Sequence, residues 1–260
     1  MGLRYVILVI VGSFALPALF GGPITVTEDI SAFGDLNQTN LSVCKSPTGV
    51  SLACGPAAAV NSFVYLEHTY PSIYGESLVL LSAPFTQGMG EVITGNDLGS
   101  DTFMGCSCAT GTTWSNFYSG KTSYINLLAP DTTVSSQQTV PTADYIASSL
   151  NSKADIEILM VPTSGGTGHY VTVTGITYDD MGFGELMYID PLDGMFHVAN
   201  LEGYDSVAGL EVSYIAPGGS IPQFLNIAFA ATEAPVPEPS TLILAPLSLA
   251  VLAILRRTRR

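Results

Sequence analysis

Positive charge is what this sequence has least of. Only 8 of its 260 residues are Lys or Arg, against 22 Asp and Glu, for a formal net charge of -14. Arg4 and the terminal Arg256, Arg257, Arg259 and Arg260 account for all but three of these, so the body keeps Lys45, Lys121 and Lys153 against every carboxylate except Glu238. A surface of that sign repels phosphate backbones, which argues against nucleic acid as a partner. Histidine is scarce too, with 3 residues and no His-Glu-x-x-His. The 4 cysteines make no paired zinc-ligand signature, since Cys106 and Cys108 are separated by Ser107 alone. Gly165, Gly166 and Gly168 lack the following lysine of a phosphate loop. Asp35, Asn37 and Thr39 echo a calcium loop, but Asn40 and Ser46 stand at its sixth and twelfth positions. No metal and no cofactor is expected. Charged residues make up 12% and hydrophobic residues 47%, so the chain is not disordered by composition.

Both ends carry targeting features. Arg4 precedes an apolar stretch from Val6 to Phe20, and small residues follow at Gly21 and Gly22. This is the pattern of a secretory signal peptide, assigned to residues 1–22. At the other end, Val236-Pro237-Glu238-Pro239-Ser240 leads into an apolar run from Leu242 to Leu255 and then the terminal arginines. That run is shorter than the ~20 residues that span a bilayer comfortably. The basic residues after it should stay cytoplasmic, which puts the body outside. Motif, apolar segment and basic tail resemble the PEP-CTERM sorting signal of Gram-negative bacteria, over residues 236–260. The resemblance implies an exported protein of the cell envelope or extracellular space. It also implies an exosortase and the secretion machinery as partners, and a single transmembrane segment until processing. Residues 231–235 read as a linker, and 23–230 as one domain with room for one sizeable core.

Within the domain, Gly55 to Glu67 reads as a helix with an apolar stripe of Val60, Phe63 and Val64, and Pro71 as its stop. The stretch from about Tyr74 to Pro141 is rich in Gly, Ser and Thr, with a short helix over Thr112 to Tyr118. Thr142 caps a helix running to Lys153, and Ile156 to Val161 is a strand. From His169 the period changes to two. Tyr170 to Thr174, Leu186 to Ile189, Met195 to Ala199, Val207 to Ile215 and Phe224 to Ala230 are expected strands. Helices first and antiparallel strands second is an α+β arrangement.

Cys54-Gly55-Pro56-Ala57 is the sharpest local feature. A cysteine just before a helix meets free amide groups and the positive end of the helix dipole, which favour thiolate, the reactive form. A thiol nucleophile also needs an imidazole. His169 opens a strand after a glycine-rich bend, whereas His68 falls at a helix end and His197 inside a later strand. A hairpin centred at Asp179-Asp180 would put His169 opposite Asp190, close enough for the aspartate to orient the ring. Asp193 is the nearest rival. A peptide or protein substrate is the partner this constellation calls for. Cys44 is free to pair with Cys106 or Cys108.

Cys54-Gly55-Pro56-Ala57, Gly168-His169-Tyr170-Val171-Thr172-Val173-Thr174-Gly175 and Tyr188-Ile189-Asp190-Pro191 together resemble the peptidase family that processes double-glycine leader peptides, especially its stand-alone relatives in the papain-like superfamily. The resemblance spans roughly Gln38 to Gly194. It implies Cys54 as nucleophile, His169 as general base and acid, and Asp190 as orienting residue. It also implies a papain-like fold, with an N-terminal helical part carrying the cysteine packed on a C-terminal antiparallel sheet. That family has a glutamine five or six residues before the cysteine, donating to the oxyanion, whereas Thr48 stands at the sixth position back here. Gln38 takes the role if Lys45 to Val50 is an inserted loop, with Asn40 as second choice. A cysteine peptidase is therefore expected, and a binding module that has lost activity or a structural protein of the envelope or matrix are the alternatives.

Overall fold

The computed structural model describes residues 22–80, 86–205 and 207–236. The expected signal peptide and sorting signal lie outside these residues except for Gly22 and Val236. No helix among the described residues is long and apolar enough to cross a membrane.

In chain order the elements are β1 (Ile24–Thr27), α1 (Cys54–Thr69), α2 (Pro71–Tyr74), α3 (Gln87–Gly99), α4 (Trp114–Leu128), β2 (Thr133–Thr139), α5 (Ala143–Asn151), β3 (Asp155–Pro162), β4 (His169–Tyr178), β5 (Phe183–Asp190), β6 (Met195–Asp205), β7 (Gly209–Tyr214) and β8 (Gln223–Pro235). The expected α+β, papain-like arrangement of a helical part on an antiparallel sheet is corrected by this structure. Six strands close into an antiparallel barrel in the order β4-β3-β8-β7-β6-β5, with β5 paired back to β4, and β1 and β2 are two extra strands beside it. Closure follows from strands that serve several partners. β4 pairs β3 over His169–Thr172, β5 over Thr172–Tyr178 and β1 over Gly175–Tyr178. β8 pairs β3, β7 and β2 in the same fashion. Register shifts at Leu159/Met160, Val173/Gly175 and Leu201/Gly203 are the irregularities that add local twist and let a sheet coil shut. A second correction concerns residues 231–235. They are not a linker but the end of β8, paired with both β2 and β3, and Ala231 and Glu233 are fully buried.

Alternation along the strands sorts the core in two. Ile156, Ile158, Val171, Val173, Val212 and Ile227 fill the barrel. Tyr170, Ile189 and Phe229 point outward and pack on the helices around Phe63, Val64 and Phe117. Truncating a buried side chain such as Phe63 to alanine typically costs ~3–5 kcal/mol. Helix α1 is buried from Gly55 to Glu67 on every side, not along one stripe. Three successive alanines let neighbours approach closely, and two of its polar side chains reach backbone amides of neighbouring segments. Asn61 Oδ1 accepts the Leu36 amide at 2.7 Å, and Glu67 Oε1 accepts those of Leu78 and Val79 at 2.6 and 3.0 Å. Thr172 on β4 donates to the Ala58 carbonyl at 2.8 Å, tying the helix to the barrel wall. Cys44 and Cys106 form a disulfide between the segment before α1 and the one before α4.

Candidate active site

The cysteine is set by the helix start. Helix α1 begins at Cys54 itself, Ala53 offers no side-chain cap, and Pro56 has no amide hydrogen. The amide groups that a capping residue would normally satisfy are open to the sulfur, and the amides of Gly55 and Tyr170 help to hold its pKa down. A side chain at position 55 would press on Thr112 and Phe117, at 3.2 and 3.3 Å from its Cβ, so glycine lets the cleft wall approach.

The histidine and aspartate come from barrel strands, and parity explains their meeting. His169 shares its strand face with Val171 and Val173, and Asp190 shares its own with Leu186 and Tyr188, which are barrel-interior residues. Both side chains therefore turn inward at one rim of the barrel. Asp190 Oδ1 lies 2.7 Å from His169 Nε2. The pairing is not the direct one expected. The turn after β4 occupies Asp179–Phe183, and beyond a shift at Val173/Gly175 the register pairs Thr172 with Ile189. That ladder, continued by one residue, sets Asp190 across from Val171, two residues from His169. A two-residue offset keeps the face and makes the contact diagonal.

Asp190 is fully buried and its remaining valences are filled. Oδ1 also accepts the Leu192 amide at 2.9 Å, and Oδ2 accepts the Tyr214 hydroxyl at 2.7 Å. Burial alone would raise its pKa, but His169, the Leu192 amide and Tyr214 hold the carboxyl below its usual range. The rival Asp193 binds His197 Nε2 instead, at 3.0 Å. His68, in the last turn of α1, is exposed.

With Nε2 committed to Asp190, Nδ1 is the ring nitrogen left to face Cys54 in the cleft that both residues line. Burial works against both charges, yet mutual attraction wins. The Cys54 thiol is lowered below its ordinary value despite burial, by His169 and then by the Tyr170 and Gly55 amides. Burial likewise works against His169, but Asp190 and then Cys54 push it up to about 10. Opposite shifts in the two groups favour a thiolate–imidazolium pair.

Cys54 and His169 lie in a cleft of about 640 Å³ whose lining also includes Leu52, Trp114, Leu159, Val161 and Leu192. Gln38 is part of the same lining. Lys45 to Val50 is a tight exposed excursion, closed by a bridge between Lys45 and Ser51 and by Ser46 N–H donating to the Val50 carbonyl at 2.8 Å. Gln38 therefore sits against Ser51. Its Nε2 donates to the Ser51 carbonyl at 2.9 Å, and Ser51 Oγ donates back to the Gln38 carbonyl at 2.8 Å. One Nε2 hydrogen remains for another acceptor. The Gln38 amide donates at 2.7 Å to the Pro191 carbonyl, next to Asp190. Asn40 is exposed and not among the cleft residues. Cys108 is exposed and, like Cys54, free.

Two features carried no recognisable signal in the sequence. Tyr214 ends β7 with no motif around it. Lys121 on α4 is fully buried with its ammonium on Asp155, Glu157 and Glu233, the first two at 2.9 and 2.6 Å. The three carboxylates are close enough together to hold a metal ion, but the Lys121 ammonium fills the position between them. Compared with known proteins, the chain matches no family model and no curated relative.

Proposed function

We propose that this protein is an exported thiol hydrolase that cleaves peptide bonds. The observation that carries the reading is Cys54, at a helix start, lining one cleft with His169, whose ring is held by buried Asp190 at 2.7 Å. The Cys54 thiolate attacks the scissile carbonyl carbon, and the carbonyl oxygen takes the negative charge. The Cys54 amide and the second Nε2 hydrogen of Gln38 are the donors for that oxyanion. His169 gives its proton to the leaving amine as the thioester forms. It then takes a proton from water, whose oxygen attacks the thioester and releases the acid and the free thiol. Asp190 keeps the ring in one orientation and stabilises its charged form.

Export and exosortase sorting belong to the same proposal. They rest on the terminal motifs, and the Cys44–Cys106 disulfide supports them because such bonds persist in oxidising compartments. The test is mass spectrometry of the full chain mixed with a peptide library and quenched in acid. The reading expects cleaved peptides and an acyl adduct on Cys54, both lost in Cys54→Ser. Neither product from the intact protein would leave a binding or structural role as the working one.

A further inference from the structure

Asp190 has two carboxylate oxygens and they are not held alike. Oδ1 carries the His169 contact and the Leu192 amide. Oδ2 has one partner, the Tyr214 hydroxyl, at 2.7 Å. The Leu192 amide comes from the turn that Asp190 itself opens, so it moves with the aspartate. Tyr214 comes from β7, which does not pair with β5, and it reaches Asp190 across the barrel. Its ring is buried, tilted against His169 at 5.8 Å between centroids and against Tyr188 at 6.3 Å. One hydroxyl thus anchors the carboxylate plane to an independent strand, while the ring below it closes the space into which the imidazole could tip.

We propose that Tyr214 is a positioning residue of the site, clamping Oδ2 of Asp190 so that Oδ1 stays on His169 Nε2. The inference rests on the thiol-hydrolase reading for its consequence, but the clamp can be read without any substrate. Burial keeps the Tyr214 phenol protonated well past its ordinary range, so it remains a donor wherever the pair exists. The groups facing Asp190 and Tyr214 are His169 from β4, Tyr188 from β5, Asp193 from the following turn and, through His169, Cys54 from α1.

A lost clamp and a lost charge interaction have opposite signatures. If the hydroxyl only drains charge from Asp190, removing it makes the carboxylate more basic and widens the pH range of the thiolate–imidazolium pair. If it positions the carboxylate, removal lets Oδ1 leave His169 and the range narrows from both sides.

The experiment measures the alkylation rate of Cys54 by iodoacetamide against pH in the full chain carrying Cys108→Ser. It compares this parent with Tyr214→Phe, Asp190→Asn and the double variant. The expected result for Tyr214→Phe is an acid limb moved up and a rate at pH 5 about ten- to hundredfold lower, the scale of one lost hydrogen bond to a charged group. In the Asp190→Asn background the same change is expected to add nothing, because Tyr214 acts through Asp190. This comparison also serves if Tyr214→Phe alone fails to fold. A widened or unmoved profile, or additive effects in the double variant, overturns the proposal. A parent Cys54 that titrates as an ordinary thiol overturns the hydrolase reading instead, which separates the two failures.

Discussion

Asp190 stands two residues away from the position directly across the β4–β5 ladder from His169, yet its Oδ1 lies 2.7 Å from the histidine Nε2. The contact survives the offset because side chains two residues apart share a face, and both of these face the barrel interior. The same argument fixes what breaks it. A one-residue change of register, from inserting or deleting one residue between Gly175 and Leu186, would turn Asp190 to the outer face.

In the proposed mechanism Gln38 would serve the oxyanion and not the thiolate. Attack on a carbonyl builds an oxyanion, whereas alkylation by iodoacetamide does not. Gln38→Ala is expected to slow peptide cleavage by ~10²–10³ and to leave the alkylation rate of Cys54 as it was. Steady-state kinetics beside alkylation kinetics check this. A parallel fall in both would make Gln38 a structural support of the cleft.

The Lys121 ammonium bridges three buried carboxyl groups. Lys121→Met removes the cation and leaves them facing one another, at an expected cost of ~3–5 kcal/mol, the usual penalty for breaking a buried ion pair from one side. Urea denaturation reads it directly. A variant as stable as the parent would mean that the carboxyls hold enough protons to dispense with the ammonium.

Stability is expected to fall as pH rises. Burial lifts the Glu67, Glu91 and Glu157 carboxyls to about 7, and Glu233 goes well above its ordinary range. A carboxyl raised in the fold contributes stability that is full below its unfolded value of ~4.3 and lost as pH rises through the folded one. His169, pushed up to about 10, has the same sign at higher pH. Asp190 and Cys54, both lowered, oppose it. Between pH 5 and 8 His169 adds to the fall above ~6.5 and Cys54 opposes it below its ordinary thiol value, so this pair largely offsets itself and the raised carboxyls set the sign: the melting temperature should drop by several degrees over that interval. Glu91→Gln should flatten part of the slope. A melting temperature that climbs from pH 5 to 8 would contradict this.

The Cys44–Cys106 bond closes a loop with a sequence separation of 62 and ties the segment before α1 to the one before α4, which also carries Thr110 to Thr113 of the cleft lining. Loop closure of this length is worth ~4 kcal/mol in the unfolded chain. Cys44→Ser should lower stability by that order, and non-reducing peptide mapping of the parent should find Cys54 and Cys108 as the two free thiols. A map that joins Cys44 to Cys108 would overturn the pairing.

Much of the site was legible because its chemistry needs rare residues. Three histidines and a cysteine before a helix leave few combinations, and strand alternation supplies the faces. The register was less legible. Asp179 Oδ1 accepts the amides of Met181 and Phe183 and stretches the turn to five residues, and a further shift falls at Val173/Gly175. Neither follows from the pattern of apolar residues. The helix-then-strand order could be read, but barrel closure could not, because it depends on β8 pairing with β3 and β7 at once. The alternation in Phe224 to Ala230 identifies a strand without naming its neighbours. Residues 231–235 look like a linker because Ala, Thr and Pro suit a tether, while Glu233 is held by Lys121, which is far away in sequence. Tyr214 and Lys121 act through partners on other elements, so no local motif marks them.

The most direct test of the account is the alkylation rate of Cys54 against pH, in the Cys108→Ser protein and in the same protein with His169→Ala. The account predicts fast reaction at pH values well below the ~8.5 of a free thiol. Loss of His169 should abolish it, since burial then dominates and holds the sulfur protonated. If both proteins titrate alike near the ordinary thiol value, there is no thiolate–imidazolium pair and the catalytic reading of the Cys54–His169–Asp190 line is wrong.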